Sequence, residues 1–236
     1  MISLAVNPTL ELNLARDVFK KRGRVLVERF LAPTSAQALA QAMRGFPYHQ
    51  TMNRPDDTAA KVDEKEIEAR GQEFRDNLLK AVYARGTVSF QYFYSQFEFD
   101  KHTTEATELG ALSKAIFGFL NGEVFLKTVG KIVAMPDLKG ANAQATCYAP
   151  GHFLTAHDDD VKNSGRRAAF VLYLNDAWRA DWGGLLQFID RDGHVAEAYT
   201  PLFNALALFR VPSQHSVSMV TPLAPAGRYA ISGWVL

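Results

Sequence analysis

The stretch "RRAAFVLYLNDAWRADWGGLLQFIDRDGHVAEAYTP", Arg166–Pro201, carries the architecture. It holds three short segments rich in β-branched, aromatic and aliphatic residues, "RRAAFVLYLN", "GGLLQFID" and "HVAEAYTP", parted by the turn chemistry of "DWGG" and "RDG". Such segments read as strands, and the Gly- and Asp-rich joints between them as turns. Working outward adds "ANAQATCYA" and "HFLTAH" before it, and "ALALFRV", "HSVSMVTP" and "RYAISGWVL" after it. Eight short strands at close spacing predict a double-sheet jelly roll.

Toward the N-terminus the period changes. "SAQALAQAMRGF" repeats apolar residues at helical spacing, with Ser35 as the expected cap. "EKEIEARGQEFRDNLLKAVYA" predicts an amphipathic helix with Ile67, Phe74, Leu78 and Val82 on its stripe, and "TEATELGALSKAIFGFLNG" a second helix stopped at Asn121 and Gly122. "GRVLVERFL" is an early strand, and "HQTMNRPDDTAAKVDEK" reads as a solvated mobile connector. The expectation is one α+β domain over residues 1–236: helical support and added strands over 1–140, and the jelly-roll core over 141–236.

Charge and composition exclude several functions. The 26 basic and 25 acidic residues nearly cancel, so no nucleic-acid surface is expected. No apolar run reaches membrane-spanning length. The single cysteine, Cys147, forbids an internal disulfide and suits a reducing, cytoplasmic setting.

The chemistry gathers at "HFLTAHDDD", His152–Asp160. On an extended backbone His157 and Asp159 project to one side, and His215 opens a later strand. Two imidazoles and a carboxylate suit a metal held on one face; Asp158 and Asp160 fall on the other side. His-x-Asp occurs by chance, and on this pair alone an ordinary turn histidine is the better reading. In "RYAISGWVL" Arg228, Ala230, Ser232 and Trp234 share a face. A buried guanidinium there needs an anion, although an arginine at a strand start can equally reach solvent. On "AAFVLYLN" Ala169, Val171 and Tyr173 share a face that leaves room for a small dicarboxylate.

These pieces, "CYAPG", "HDD", "GRRAAFVLYLN", "W…DWGGLLQF", His215 and "RYAISGW", resemble the prolyl-hydroxylase type of Fe(II)/2-oxoglutarate-dependent dioxygenase, over roughly Gln144–Leu236. The resemblance implies a double-stranded β-helix core with Fe(II) held by His157, Asp159 and His215. It further implies 2-oxoglutarate held by Arg228 and Tyr173, with Tyr148 and Ser232 beside it and Trp234 packed around them, and ascorbate as a further cofactor. The implied activity is hydroxylation of a prolyl residue in a protein, giving succinate and CO2. Two alternatives stay open: a hydroxylase of a free amino acid or small metabolite, and a non-catalytic jelly roll that binds zinc or another ligand. The connection from His215 to Arg228 is longer than in the oxygen-sensing members of the family.

Other residues carry blander expectations. The aromatic run Phe90–Asp100 is expected to pack in the core, with an aromatic wall for a peptide as the alternative. Arg166 and Arg167 form a solvated pair or flank the substrate mouth. His49, His102, His152 and His194 are expected at the surface, and Cys147 as a small buried hydrophobe.

Overall fold

The computed structural model describes residues 2–99 and 107–236. His102, and the first residues of the helix expected from Thr104, lie outside them. In chain order the elements are α1 (Leu12–Arg22), β1 (Arg24–Val27), α2 (Pro33–Met43), β2 (His49–Asn53), β3 (Ala59–Asp63) and α3 (Glu64–Gly86). Then come β4 (Tyr92–Glu98), α4 (Glu108–Leu120), α5 (Glu123–Val133), β5 (Ala141–Tyr148), β6 (Phe153–His157) and β7 (Ala168–Tyr173). A 3₁₀ turn (Ala180–Trp182) precedes β8 (Leu186–Ile189), β9 (Val195–Tyr199), β10 (Ala205–Arg210), β11 (His215–Val217) and β12 (Arg228–Val235). All eight strands expected after Ala141 form.

The strand order is β1-β10-β7-β12-β5-β4-β6-β11-β8-β9, with β2 on β4 and β3 on β2, and every ladder between strands is antiparallel. β4 joins the two layers, pairing β5 through Ser95–Glu98 and β6 through Tyr92 and Phe93. The result is a nearly closed jelly-roll barrel braced by helices, as the strand pattern predicts.

Alternation sorts the side chains. On β7 Phe170 and Leu172 face the helices, and on β12 Ile231 and Val235 do so; all four are buried with Phe19, Leu39, Ile116 and Phe125 of the helices. The opposite faces, with Ala169, Tyr173 and Ala230, turn inward against Leu186 and Phe188 of β8. Burying one such Phe or Leu contributes about 1.5–3 kcal/mol, so this helix–sheet core anchors the barrel. α5 shows why the helices form: Phe125, Val129, Ile132 and Val133 recur at helical spacing and are all buried. No single helix among the described residues is long and apolar enough to cross a membrane.

Three expectations need correction. Ser35 does not cap α2: Ala32 stands at the cap and Pro33 in the first turn, where its missing N–H costs nothing. The Ser35 hydroxyl instead joins the N-terminal segment, accepting from Ala5 N and donating to Ser3 O. The polar stretch from His49 is no loose connector; β2 and β3 form a hairpin that extends the sheet beside β4. His152 is 5% exposed rather than at the surface, and its ring stands edge-on to Phe93. His194 is exposed as expected, while His49 is half-buried on β2.

Candidate metal and cosubstrate site

His157 ends β6 and His215 opens β11, and these two residues pair across the antiparallel ladder. Their rings lie 4.1 Å apart between centroids. Asp159 completes the group, with Oδ1 3.4 Å from His157 Nε2 and Oδ2 3.6 Å from His215 Nε2. One ligand atom from each residue lies within 4.8 Å of the others. Strand alternation is not what aims Asp159: the strand has ended, and the residue sits at φ +63°. Aspartate tolerates this left-handed conformation better than most residues. Asp158 stabilises the turn, its Oδ1 accepting from Asp160 N at 3.0 Å. Thus the three consecutive acids divide into one inward carboxylate, one turn cap and one exposed residue.

The imidazoles are oriented by backbone. His157 Nδ1 lies 3.0 Å from Thr155 O and His215 Nδ1 2.7 Å from Ser213 O. A carbonyl can only accept, so each Nδ1 carries the proton and each Nε2 turns a lone pair inward. Burial, followed by the neighbouring His157, lowers the pKa of His215 to about 4, which keeps the ring neutral and able to ligate. Burial raises the pKa of Asp159, but the adjacent His157 and His215 imidazoles outweigh it, and the net shift is downward.

Arg228, at the start of β12, is 2% exposed. Its guanidinium carbon lies 4.9 Å from the Tyr148 ring centroid and 5.0 Å from that of Tyr173. Its Nε and the Tyr173 hydroxyl are buried without a hydrogen-bond partner of good geometry, and no ion pair among the described residues includes Arg228. A buried cation left this way costs several kcal/mol, which an anion in the cavity would offset. The "WGG" motif makes room for it. An added Cβ on Gly184 (φ +64°) would lie 2.8 Å from Arg228 Cδ, and one on Gly183 2.0 Å from Met219 O. Trp178 Nε1 donates to Gly183 O and holds that turn.

The metal group and Arg228 line one cavity of about 450 Å³, together with Tyr148, Ser232 and Trp234. Tyr173 lies fully buried beneath it. Arg166 is no solvated residue: its guanidinium lies 3.6 Å over the Trp234 ring and 4.0 Å from Asp159. Arg167 pairs outward with Asp137 at 2.6 Å. The aromatic run divides: Phe93, Phe97 and Phe99 pack in cores, whereas Phe90, Tyr92 and Tyr94 line the cavity. Gln144 and Thr146 also line it and escaped the sequence reading. The signal was there, because "NAQATCY" places Asn142, Gln144, Thr146 and Tyr148 on one face of a central strand, where polar residues are unusual. Cys147 faces the other side, half-buried, its thiol pushed up to about 11 by burial. Two imidazoles and a carboxylate at one place, with a buried guanidinium that has no acid partner among the described residues in the same cavity and the Tyr173 phenol beneath it, fit Fe(II) and a 2-oxoacid dicarboxylate.

The comparisons agree with this chemistry. Residues 143–236 match the model of the 2OG-Fe(II) oxygenase superfamily. A mouse protein named Prolyl 3-hydroxylase OGFOD1 is 40% identical over 88 residues, 34% of this chain and 16% of that protein. The Xenopus laevis protein of the same name is 30% identical over 150 residues, 61% of this chain and 28% of its own length. The chain thus matches less than a third of either relative. Among solved structures, a Pseudomonas putida prolyl-4-hydroxylase superposes with a TM-score of 0.56 at 17% identity, covering 95% of this chain and 97% of that one. A Trichoplax adhaerens prolyl hydroxylase, solved with a hypoxia-inducible-factor peptide, gives 0.59 at 18%, covering 95% and 88%. These two likenesses establish the fold. Over residues 143–236 the chain is thus similar to the 2OG-Fe(II) oxygenase superfamily, and the prolyl-hydroxylase type is what it resembles in sequence and in fold.

Proposed function

We propose that the protein is a 2-oxoglutarate- and O2-dependent hydroxylase of a prolyl residue in a protein or peptide, with succinate and CO2 as co-products. The observation that carries the cosubstrate is Arg228, a guanidinium 2% exposed with no acid partner among the described residues, in the cavity that also holds the His157–Asp159–His215 group. When bound, Fe(II) and 2-oxoglutarate supply the oxidising chemistry that couples decarboxylation to hydroxylation. The chain's own residues bind and orient. Arg228 takes the distal carboxylate, Tyr173 donates to it, and Tyr148 and Ser232 flank the cosubstrate. Trp234, covered by Arg166, walls the metal end against water.

The prolyl assignment draws on the names of the relatives, both prolyl 3-hydroxylases. Phe90 and Val161 line the cavity while standing 39% and 51% exposed, an open rim suited to a chain segment rather than an enclosed metabolite. The same reading includes ascorbate in assays and a reducing compartment such as the cytoplasm, for which the lone Cys147 is fitted.

The test is anaerobic addition of Fe(II) and then 2-oxoglutarate, read by the visible charge-transfer band of the chelate. Wild type develops the band and His157→Ala does not. Arg228→Ala needs more than about tenfold more 2-oxoglutarate, because a charge-assisted pair is lost. Arg228→Lys falls between, keeping the charge but not the fork. Absence of the band in wild type, with tight zinc binding alone, sinks the reading.

A further inference from the structure

Four aromatic rings stand in file along the cavity wall. Phe90 lies 5.7 Å from Tyr92, Tyr92 5.6 Å from Tyr94, and Tyr94 stacks on Tyr148 at 4.8 Å and 13°. The file starts at the exposed rim, where Phe90 also lies 5.4 Å from the His157 ring, and ends under Arg228. It therefore spans from the mouth to the cosubstrate anchor, and Tyr94 sits between the two.

The hydrogen bonds on this wall are unevenly used. Thr146 donates its hydroxyl to Ala230 O at 3.2 Å. Gln144 Nε2 donates to Tyr94 Oη at 3.3 Å. Tyr94 Oη accepts that bond and donates in none among the described residues, so its own proton is free to point into the cavity. Burial holds its pKa well above the ordinary tyrosine value, so the group stays a donor throughout the working pH range.

A prolyl residue needs such a group. Its tertiary amide has no N–H, so its backbone offers only acceptors: its own carbonyl and the one before it. A site that holds prolyl by a hydrogen bond must supply the donor. The faces of Tyr92 and Tyr94 also suit the flat, apolar pyrrolidine ring.

Resting on the hydroxylase reading above, we infer that Tyr94 is a substrate-binding residue that donates its hydroxyl proton to a carbonyl flanking the target prolyl, and that Gln144 is the positioning residue that holds the phenol in place. Tyr148 and Arg228 then serve the cosubstrate, and Tyr94 the substrate, on one continuous wall.

The experiment uses the protein loaded with zinc and 2-oxoglutarate, with N-acetyl-L-prolinamide as probe and N-acetyl-L-alaninamide as control, read by saturation-transfer NMR titration. Wild type transfers saturation to the pyrrolidine protons and much less to the alanine control. Tyr94→Phe, which removes one oxygen, weakens probe binding about 3- to 10-fold, the worth of one hydrogen bond. Gln144→Met weakens it less. The Fe(II)–2-oxoglutarate band forms at the same cosubstrate concentration in both variants. Equal probe binding by wild type and Tyr94→Phe overturns the inference, as does a wild type that forms the band yet shows no transfer. Loss of the band in Tyr94→Phe also overturns it, by assigning Tyr94 to the cosubstrate. A wild type without the band fails the hydroxylase reading itself, a separate readout.

Discussion

His152 shows how far environment can move one side chain. It is 5% exposed, and burial lowers its pKa to about 4 although Cys147 O and Glu64 pull upward. In the unfolded chain the ring titrates near 6.5, so between about pH 6.5 and pH 4 the unfolded state binds more protons. His152 therefore contributes stability that is intact above pH 6.5 and is lost as pH falls toward 4, up to about 3 kcal/mol. His215 is shifted the same way, so the contribution of His152 is read as a difference. Urea midpoints measured from pH 7 to pH 4 should fall less steeply for His152→Gln than for wild type. An equal slope would show that the ring titrates in the fold as it does in the unfolded chain. Nothing in "PGHFLT" announces this burial, because β6 and Phe93 of β4 enclose the ring from distant parts of the chain.

Between elements, Asn204 is the tie between the β9–β10 turn and the segment after β1. Its side chain accepts from Leu31 N and donates to Leu31 O, both at 2.8 Å, and it is buried at φ +56°. Asn204→Ala leaves two buried backbone groups without partners and puts a Cβ residue without side-chain compensation in the left-handed region. The expected loss is about 2–4 kcal/mol, seen as a lower Tm with the Fe(II)–2-oxoglutarate band intact in the folded protein. A loss under about 1 kcal/mol would mean that water replaces these bonds. Elements were legible where period and turn chemistry agreed, as in "RRAAFVLYLN" and "GGLLQFID". They were misread at "HQTMNRPDDTAAKVDEK", whose strands bury polar Gln50, Thr51 and Asn53 in the sheet and give Met52 and Ala60 to a small core with Val82 of α3, so no apolar alternation announces them.

At the scale of the molecule, the barrel stops short of backbone closure. The end strands β1 and β9 are bridged by Glu197, which meets Arg24 Nε at 2.6 Å and Arg22 Nη1 at 2.9 Å. Glu197 and Arg24 are about one-fifth exposed, so the pair is screened but not fully solvated. Glu197→Gln should cost about 0.5–1.5 kcal/mol in urea unfolding, and the cost should shrink in high salt. A salt-independent cost would assign the effect to packing.

By itself the sequence determined the eight strands, the inward faces of β7 and β12, and which histidines, carboxylate and arginine were worth following to the cavity. Period-two alternation is a local property of extended backbone, and His, Asp and Arg advertise their chemistry wherever they stand. Only the tertiary structure decided how those residues meet. The left-handed turn at Asp159, the carbonyls of Thr155 and Ser213 that set both imidazole tautomers, and the space that Gly184 leaves for Arg228 join residues distant in sequence or depend on a backbone state that the residue type does not dictate. The cavity wall of Tyr92, Tyr94 and Gln144 belongs to the same class, because it exists only where β4 lies against β5.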